Sequence, residues 1–556
     1  MILMATSSQE DHKLVSLYDS SSPSQPLLHK VTSQPIASYP RIEDPIAQSI
    51  QQVDDSEASY LQISYNYGHR PWKDIFFLVL YLLFVLLTFG IGIFAIANSN
   101  PSKSTLPSYK YDYPSSSCVK KAGFPQLFMP SNRSSFDDSN SAREFVRILI
   151  WVLVITSILS VPICFLTLLC LKRYTKHIVY TCIPLFFVAV VFFNVYWFVA
   201  CTVSPACNRE FQLLYRILLL VFIFAVTGLM VWAIAANWHR VKLTIQIIEI
   251  SSNALSKNLG LFIALPLMIL GLVVYYAPIV VFLVFAQRNG KIVPFVSDGK
   301  YSCHWKQAGW VSSYFALAIL TMLWSFSSLF EAQIYVVSGS VAQWYFTKEG
   351  SILERNIRSS LRNAFGPSSG TICASGLLIC GVRVVQSLVS SAREEAPGMA
   401  NRALRWCVTT CLSAVEFINK FSIVFAAIAG EGYCTSARMT YELLRRNLLS
   451  TAFVETISTR LLGLIVFVIS AIYAAATCGI VNGVSELGGW CYVVSLGAFA
   501  VHFAVMGYLF YVLDKVIEAI YICYAIDRDR GEALKPDVHD VYVQLPIRRY
   551  YVTPLL

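Results

Sequence analysis

Within MLWSFSSLFEAQIY (322–335) a single carboxylate, Glu331, sits in a run that is otherwise uncharged and mostly apolar. A charged side chain placed in hydrocarbon costs about 2.5–3.5 kcal/mol on insertion scales, so such a residue must face a bundle interior or a wet cavity. Trp324, Glu331 and Tyr335 are spaced by seven and four residues, which puts them on one helix face. A second polar and aromatic group, Asn194, Tyr196 and Trp197, lies in FFNVYWF (192–198). Aromatic faces beside a carboxylate suit a cation that has no N–H to donate, the quaternary ammonium group. These six residues are the candidate substrate-binding set. The plainer alternative is that most Trp and Tyr in a chain with 14% aromatic residues serve as packing or as interfacial belts.

Other polar groups occur inside apolar runs: Arg383, Glu416 with Lys420, His502, Asp514 and Glu518. Glu416 and Lys420 are one helical turn apart, which suggests mutual neutralisation. Glu331, His502 and Glu518 are candidates for carrying a proton. No phosphate-cradling glycine loop, HExxH, paired CxxC or GxSxG is found, so neither catalysis nor a cofactor is expected. The histidines have no metal-ligand spacing, and no polybasic stretch suggests nucleic acid.

What positions these residues follows from composition. The chain of 556 residues is 56% hydrophobic and 14% charged, with mean hydropathy +0.57. That is far more apolar surface than a water-soluble core can hide. Apolar runs of the roughly 20 residues needed to cross a bilayer begin near Ile75, Phe145, Ile178, Leu213, Leu259, Val311, Gly370, Ala403, Leu461 and Trp490. The expected fold is therefore all-α, a polytopic membrane protein of about ten spans. The basic connections LKRYTKH, NWHRVKLT, TKEGSILERNIRSSLRN and ELLRRN follow the second, fourth, sixth and eighth runs. The excess of Lys and Arg marks the cytosolic side, so both termini are expected there.

Residues 1–70 are rich in Ser, Gln, Pro and Asp and read as a disordered cytosolic tail. Residues 71–527 form the expected transmembrane domain, with an outside loop at 98–143, and 528–556 a short cytosolic tail. The outside loop carries a glycosylation acceptor at Asn132. Among fifteen cysteines, Cys118, Cys207 and Cys303 fall in expected outside loops and Cys201 at a span edge, where oxidising surroundings permit a disulfide. The preferred pair is Cys207 with Cys303. The Trp344, Tyr345 and Phe346 cluster closes the sixth run, where it is expected to anchor the helix end in the membrane interface.

Three stretches carry a resemblance. SGSVAQWYF (338–346), NKFSIVFAAIAGEGYCTSARMTYELLRRN (419–447) and VIEAIYICYAIDRDR (516–530) resemble, in order and spacing, segments of the choline transporter-like family, solute carrier family 44. In the second stretch Ala427, Gly430, Tyr433, Cys434, Ala437 and Asn447 match. In the third Cys523 and Asp527 match, while Glu518 stands where the family usually has Asp. Departures are the reversed order of Ser375 and Gly376, Ser422 in place of a common Tyr, and a short first outside loop.

The resemblance implies ten spans, cytosolic ends, a glycosylated first loop, and transport of choline or a related amine at the plasma membrane, with Golgi and endosomal membranes as alternatives. The expected partners are thus a small cationic substrate and the bilayer. Membrane potential alone supplies about 2.3 kcal/mol per unit charge per 100 mV, so facilitated uptake suffices and proton exchange is a second route. Two rival readings are a lipid-handling protein and a trafficking scaffold. For the scaffold, YLQI at Tyr60 and YVQL at Tyr542 fit the Tyr-x-x-apolar pattern bound by sorting adaptors.

Overall fold

A computed structural model describes residues 65–545, except 67, 69, 101–108, 115, 121–137, 298–299, 348–355, 392–398, 485–488 and 531–532. Among the described residues nine helices are long and apolar enough to cross a membrane. They are α1 (Ile75–Ala97), α2 (Asp138–Val203), α4 (Leu213–Ala236), α6 (Leu261–Ala286), α7 (Gly309–Phe346), α9 (Ser369–Ser391), α10 (Met399–Ala429), α11 (Tyr433–Val484) and α12 (Trp490–Asp529). Shorter helices join them: α3 (Pro205–Glu210), α5 (Trp238–Ser256), α8 (Asn356–Ala364) and α13 (Pro536–Tyr542). The protein is an all-α polytopic membrane protein.

Nine helices supply ten apolar passages because α2 holds two. Tyr174 breaks it with non-helical angles, φ −126° and ψ 23°. The Tyr473 hydroxyl donates to Thr156 at 3.2 Å, and Phe467, less than two turns away on the same helix, packs on Phe186 at 5.8 Å. On a straight helix Thr156 and Phe186 would stand about 45 Å apart. The chain therefore doubles back near Tyr174, within the basic run LKRYTKH.

Two of the other basic connections are helical. NWHRVKLT begins α5, which buries Leu243, Ile245, Ile247 and Ile248 against α2 and α12. ELLRRN lies inside the 52-residue α11. At the opposite ends of the spans two hairpins form, β1 (Tyr109–Asp112) with β2 (Ser117–Lys120), and β3 (Gly290–Ser297) with β4 (Lys300–Gln307). Tyr111 stacks on Tyr301 at 4.4 Å, and a disulfide joins Cys118 of β2 to Cys303 of β4. A second disulfide joins Cys201 to Cys207 across the turn from α2 into α3.

This corrects the preferred pair. Cys303 is held by the hairpin packing beside Cys118, and Cys207 takes the partner six residues away, which leaves no Cys207–Cys303 bridge. The glycosylation acceptor Asn132 lies outside the described residues.

Both ends of the domain are built in further than composition suggested. Tyr65 and Arg70 are 5% and 3% exposed, inside the stretch read as a tail. Arg70 donates to Tyr335 Oη at 2.6 Å and to the Ala427 carbonyl at 3.0 Å, while Gln343 Nε2 donates to Tyr65 Oη at 2.7 Å. At the other end α13 buries Val538 and Tyr542, and Tyr542 packs on Tyr524 at 5.3 Å.

The hub of the bundle is the second half of α7, buried without a gap from Glu331 to Tyr345. The aromatic cluster at its end is therefore core, not an interfacial anchor. Tyr345 is wholly buried and donates to Asp527 Oδ2 at 3.1 Å, and Trp344 is 8% exposed with Lys535 Nζ 5.8 Å from its ring centroid. Small residues permit the close approach of neighbours. A Cβ on Gly376 of α9 would lie 2.7 Å from Ser328 Cα of α7, and one on Gly339 would lie 2.9 Å from Ser360 Oγ of α8.

Candidate substrate cavity

Four helices, α7, α9, α10 and α12, enclose a cavity of about 890 Å³. Each contributes through a local pattern that its own sequence sets. On α7, Phe330 and Glu331 follow one another, with Phe326 one turn earlier, and the Phe326 and Phe330 rings pack at 4.7 Å. On α10, Glu416, Phe417, Asn419 and Lys420 occupy successive cavity-facing positions, and α12 adds Tyr511 and Lys515. Arg383 of α9 stands at the rim.

The charges pair both across helices and along α12. Lys420 meets Glu518 of α12 at 2.5 Å, and Lys515 meets the same carboxylate at 3.0 Å and Asp514 at 3.6 Å. Thr459 of α11 donates to Asp514 at 2.9 Å. At the rim Arg383 meets Glu416 at 2.5 Å. The expected neutralisation of Glu416 by Lys420 is thus replaced by two interhelical pairs. Glu518 is 2% exposed and engaged by two ammonium groups, which makes it a structural counter-charge.

Glu331 differs. It is 6% exposed and forms no ion pair among the described residues. Its Oε2 lies 2.8 Å from Ser375 Oγ, which in turn lies 3.0 Å from Asn419 Oδ1. The Tyr433 hydroxyl donates to that same oxygen at 2.6 Å. An ionised carboxylate without a direct ion pair at this depth is expensive. A cation in the cavity, against Glu331 and the Phe330, Phe417 and Tyr511 rings, would remove that cost.

The other expected site residues go elsewhere. Trp324 is 1% exposed, donates from Nε1 to the Cys373 carbonyl at 3.0 Å, and packs edge-on against Tyr81 and Phe84. Tyr335 is tied to Arg70 and shares a 2.8 Å hydrogen bond with Ser368. Neither lines the cavity, because a helix enclosed on all sides spends its faces on different neighbours.

Asn194 donates to the Leu220 carbonyl at 3.3 Å, Tyr196 stacks on Phe192 and is 62% exposed, and Trp197 packs on Phe211. This trio sits where α2 meets α4, away from the cavity. His502 is fully buried, with Nδ1 3.0 Å from Ser470 Oγ and its ring stacked on Tyr473 at 4.5 Å, and it too is absent from the lining. Of the expected set, Glu331 alone lines the cavity. Sequence reasoning missed Ser375, Asn419, Lys515 and Tyr511 as site residues. Lys515 was legible from its three-residue spacing to Glu518, and Asn419 and Tyr433 lie in one of the stretches that carry the family resemblance.

Of the two sorting motifs, Tyr60 lies outside the described residues. Tyr542 is fully buried, so YVQL does not offer its tyrosine to an adaptor while α13 is docked.

Residues 221–529 match the family model described as plasma-membrane choline transporter, a span that contains every residue of the cavity. The chain is 24% identical over 237 residues to a CTL-like protein of Dictyostelium discoideum, covering 40% of this chain and 43% of that one. It is 22% identical over 326 residues to choline transporter-like protein 3 of Bos taurus, covering 56% and 49%. To choline transporter-like protein 1 of Rattus norvegicus it is 23% identical over 309 residues, covering 52% and 44%. The matched part is thus less than half the length of each of these relatives. Because the family model accounts for more than half of its residues, the chain belongs to the choline transporter-like family.

Proposed function

We propose that this protein is a carrier for a small organic cation, choline or a related amine, and that the cavity floored by Glu331 is where the cation rests. The observation that supports this most directly is the carboxylate without an ion pair in a cavity walled by Phe330, Phe417 and Tyr511. Carboxylate and ring faces together recognise an ammonium centre whether or not it carries N–H groups. The names of the relatives point to the same substrate class.

The disulfide-bonded hairpins face the outside in this reading, and the termini face the cytosol. Inward movement of the cation down an inside-negative potential gains about 2.3 kcal/mol per 100 mV, and no second ion is required. Proton exchange would need Glu331 to alternate between proton and substrate. The plasma membrane is the proposed site of action.

The test is uptake of radiolabelled choline into sealed liposomes containing the purified protein, with and without an imposed inside-negative potential, beside Glu331→Gln. Saturable, potential-driven uptake is expected, with the variant's KM raised at least about tenfold, the scale of a lost charge-assisted contact. No uptake at any potential by folded protein would overturn the carrier reading. Leu323, Phe326 and Leu388 at the cavity lining are 44%, 49% and 64% exposed, an apolar opening that favours lateral entry from lipid. Movement of a labelled choline-headed lipid between leaflets of the same liposomes, without choline uptake, would support the lipid-handling alternative.

A further inference from the structure

Ser375 stands between two acceptors, Glu331 Oε2 at 2.8 Å and Asn419 Oδ1 at 3.0 Å, yet one hydroxyl has a single hydrogen to give. What decides between them is the other group on the Asn419 oxygen. Tyr433 donates there at 2.6 Å, which takes one of that carbonyl's two lone pairs and lowers its pull on a second donor. An ionised carboxylate is then the better acceptor for the remaining hydrogen.

Tyr433 is itself fixed from behind. Its backbone N–H donates to Asp74 Oδ2 at 2.6 Å, just after the α10–α11 break at Gly430, whose φ is +75°. The four groups come from four helices, α7, α9, α10 and α11. Ser375 and Asn419 are 0% and 1% exposed. Asn419 Nδ2 is buried and makes no hydrogen bond of normal geometry, a cost in free energy at a point where the amide interacts with the Glu331 carboxylate.

We propose that Asn419 and Tyr433 are positioning residues for Glu331. Tyr433 engages Asn419 Oδ1, the Ser375 hydrogen therefore goes to Glu331, and the carboxylate is held at the cavity floor in the orientation that meets the substrate's cationic centre. The inference rests on the carrier reading above.

The experiment is choline-uptake kinetics in liposomes for Tyr433→Phe, Ser375→Ala, the double variant and Glu331→Gln, each with its heat stability. Tyr433→Phe and Ser375→Ala are each expected to raise KM about three- to tenfold, the range for one hydrogen bond, with maximal rate within about twofold and heat stability unchanged. Because both act through one hydrogen, the double variant should match Ser375→Ala alone, whereas independent effects would multiply. Ser375→Thr, which keeps a hydroxyl, should restore KM to within about twofold of the native protein, and it carries the test should either other variant lose stability.

A neutral Tyr433→Phe, multiplying effects, or Ser375→Thr as impaired as Ser375→Ala would overturn the positioning role while Glu331→Gln still weakens uptake. A Glu331→Gln protein with native KM would instead remove Glu331 from the site, and this inference with it.

Discussion

Glu331 and Glu518 are both carboxylates at membrane depth, and their chemistry diverges because of what stands beside them. Glu518 pairs with Lys420 and Lys515, so removing its charge leaves the buried Lys515 with Asp514 and takes a close carboxylate from the half-buried Lys420. Breaking a buried pair by deleting one partner costs about 3–5 kcal/mol. Glu518→Gln is therefore expected to lower the melting temperature of the detergent-purified protein by several degrees. Arg438–Glu442, 76% and 38% exposed, is worth less than about 1 kcal/mol, and Arg438→Gln should leave melting unchanged. Equal melting of Glu518→Gln and native protein would mean that the lysines find other partners. The sequence marked both carboxylates, but it could not rank them. Glu518 has Lys515 three residues before it, yet its closest contact, Lys420, is 98 positions away on another helix.

At the scale of elements, the contact of α7 with α9 places Ser375 against Glu331, and it depends on the residue next in line. Gly376 lies so close to Ser328 that an added Cβ would fall 2.7–2.8 Å from its backbone Cα and N. The order Ser375 then Gly376, a departure from the family pattern, has a physical reading here: the hydroxyl reaches the carboxylate while the glycine admits the neighbouring backbone. Gly376→Val should force the helices apart at a cost of about 1–3 kcal/mol or more, which a thermal-shift measurement reads directly. Native melting would show that α9 can slide without loss.

The α10–α11 corner is the second joint that sequence alone did not reveal. Asp74, itself at φ 52°, accepts from Thr371 at 2.8 Å and from the Tyr433 N–H, and Lys73 meets Glu431 at 3.2 Å. Asp and Asn tolerate this left-handed backbone better than most residues, which fits the residue found at that point. The end of the segment that composition assigned to a tail thus ties α7 to α10 through Tyr65 and Arg70, and Asp74 just after it ties α9 to α11.

For the whole molecule, the covalent links are the cheapest check on topology. Peptide mapping without reduction should recover Cys118 joined to Cys303 and Cys201 joined to Cys207, and a Cys207–Cys303 peptide would overturn the hairpin arrangement. The first link ties together two hairpins 185 residues apart in the chain, so it reports on how the ends of α1 and α6 are brought together. What the sequence determined by itself was the class of molecule: apolar runs of bilayer length admit helices because a backbone in hydrocarbon must satisfy its own hydrogen bonds. It also located the doubled second and third runs, and Glu331 as the carboxylate to watch, since its cost in lipid can be read from residue type and context. Tertiary structure alone decided which polar groups meet. Ion pairs, the Ser375–Asn419–Tyr433 chain, the disulfide partners and the burial of Trp324, Tyr335 and Tyr345 all depend on distances between segments remote in sequence. Periodicity gives a residue's face on its own helix, but only packing determines what that face meets.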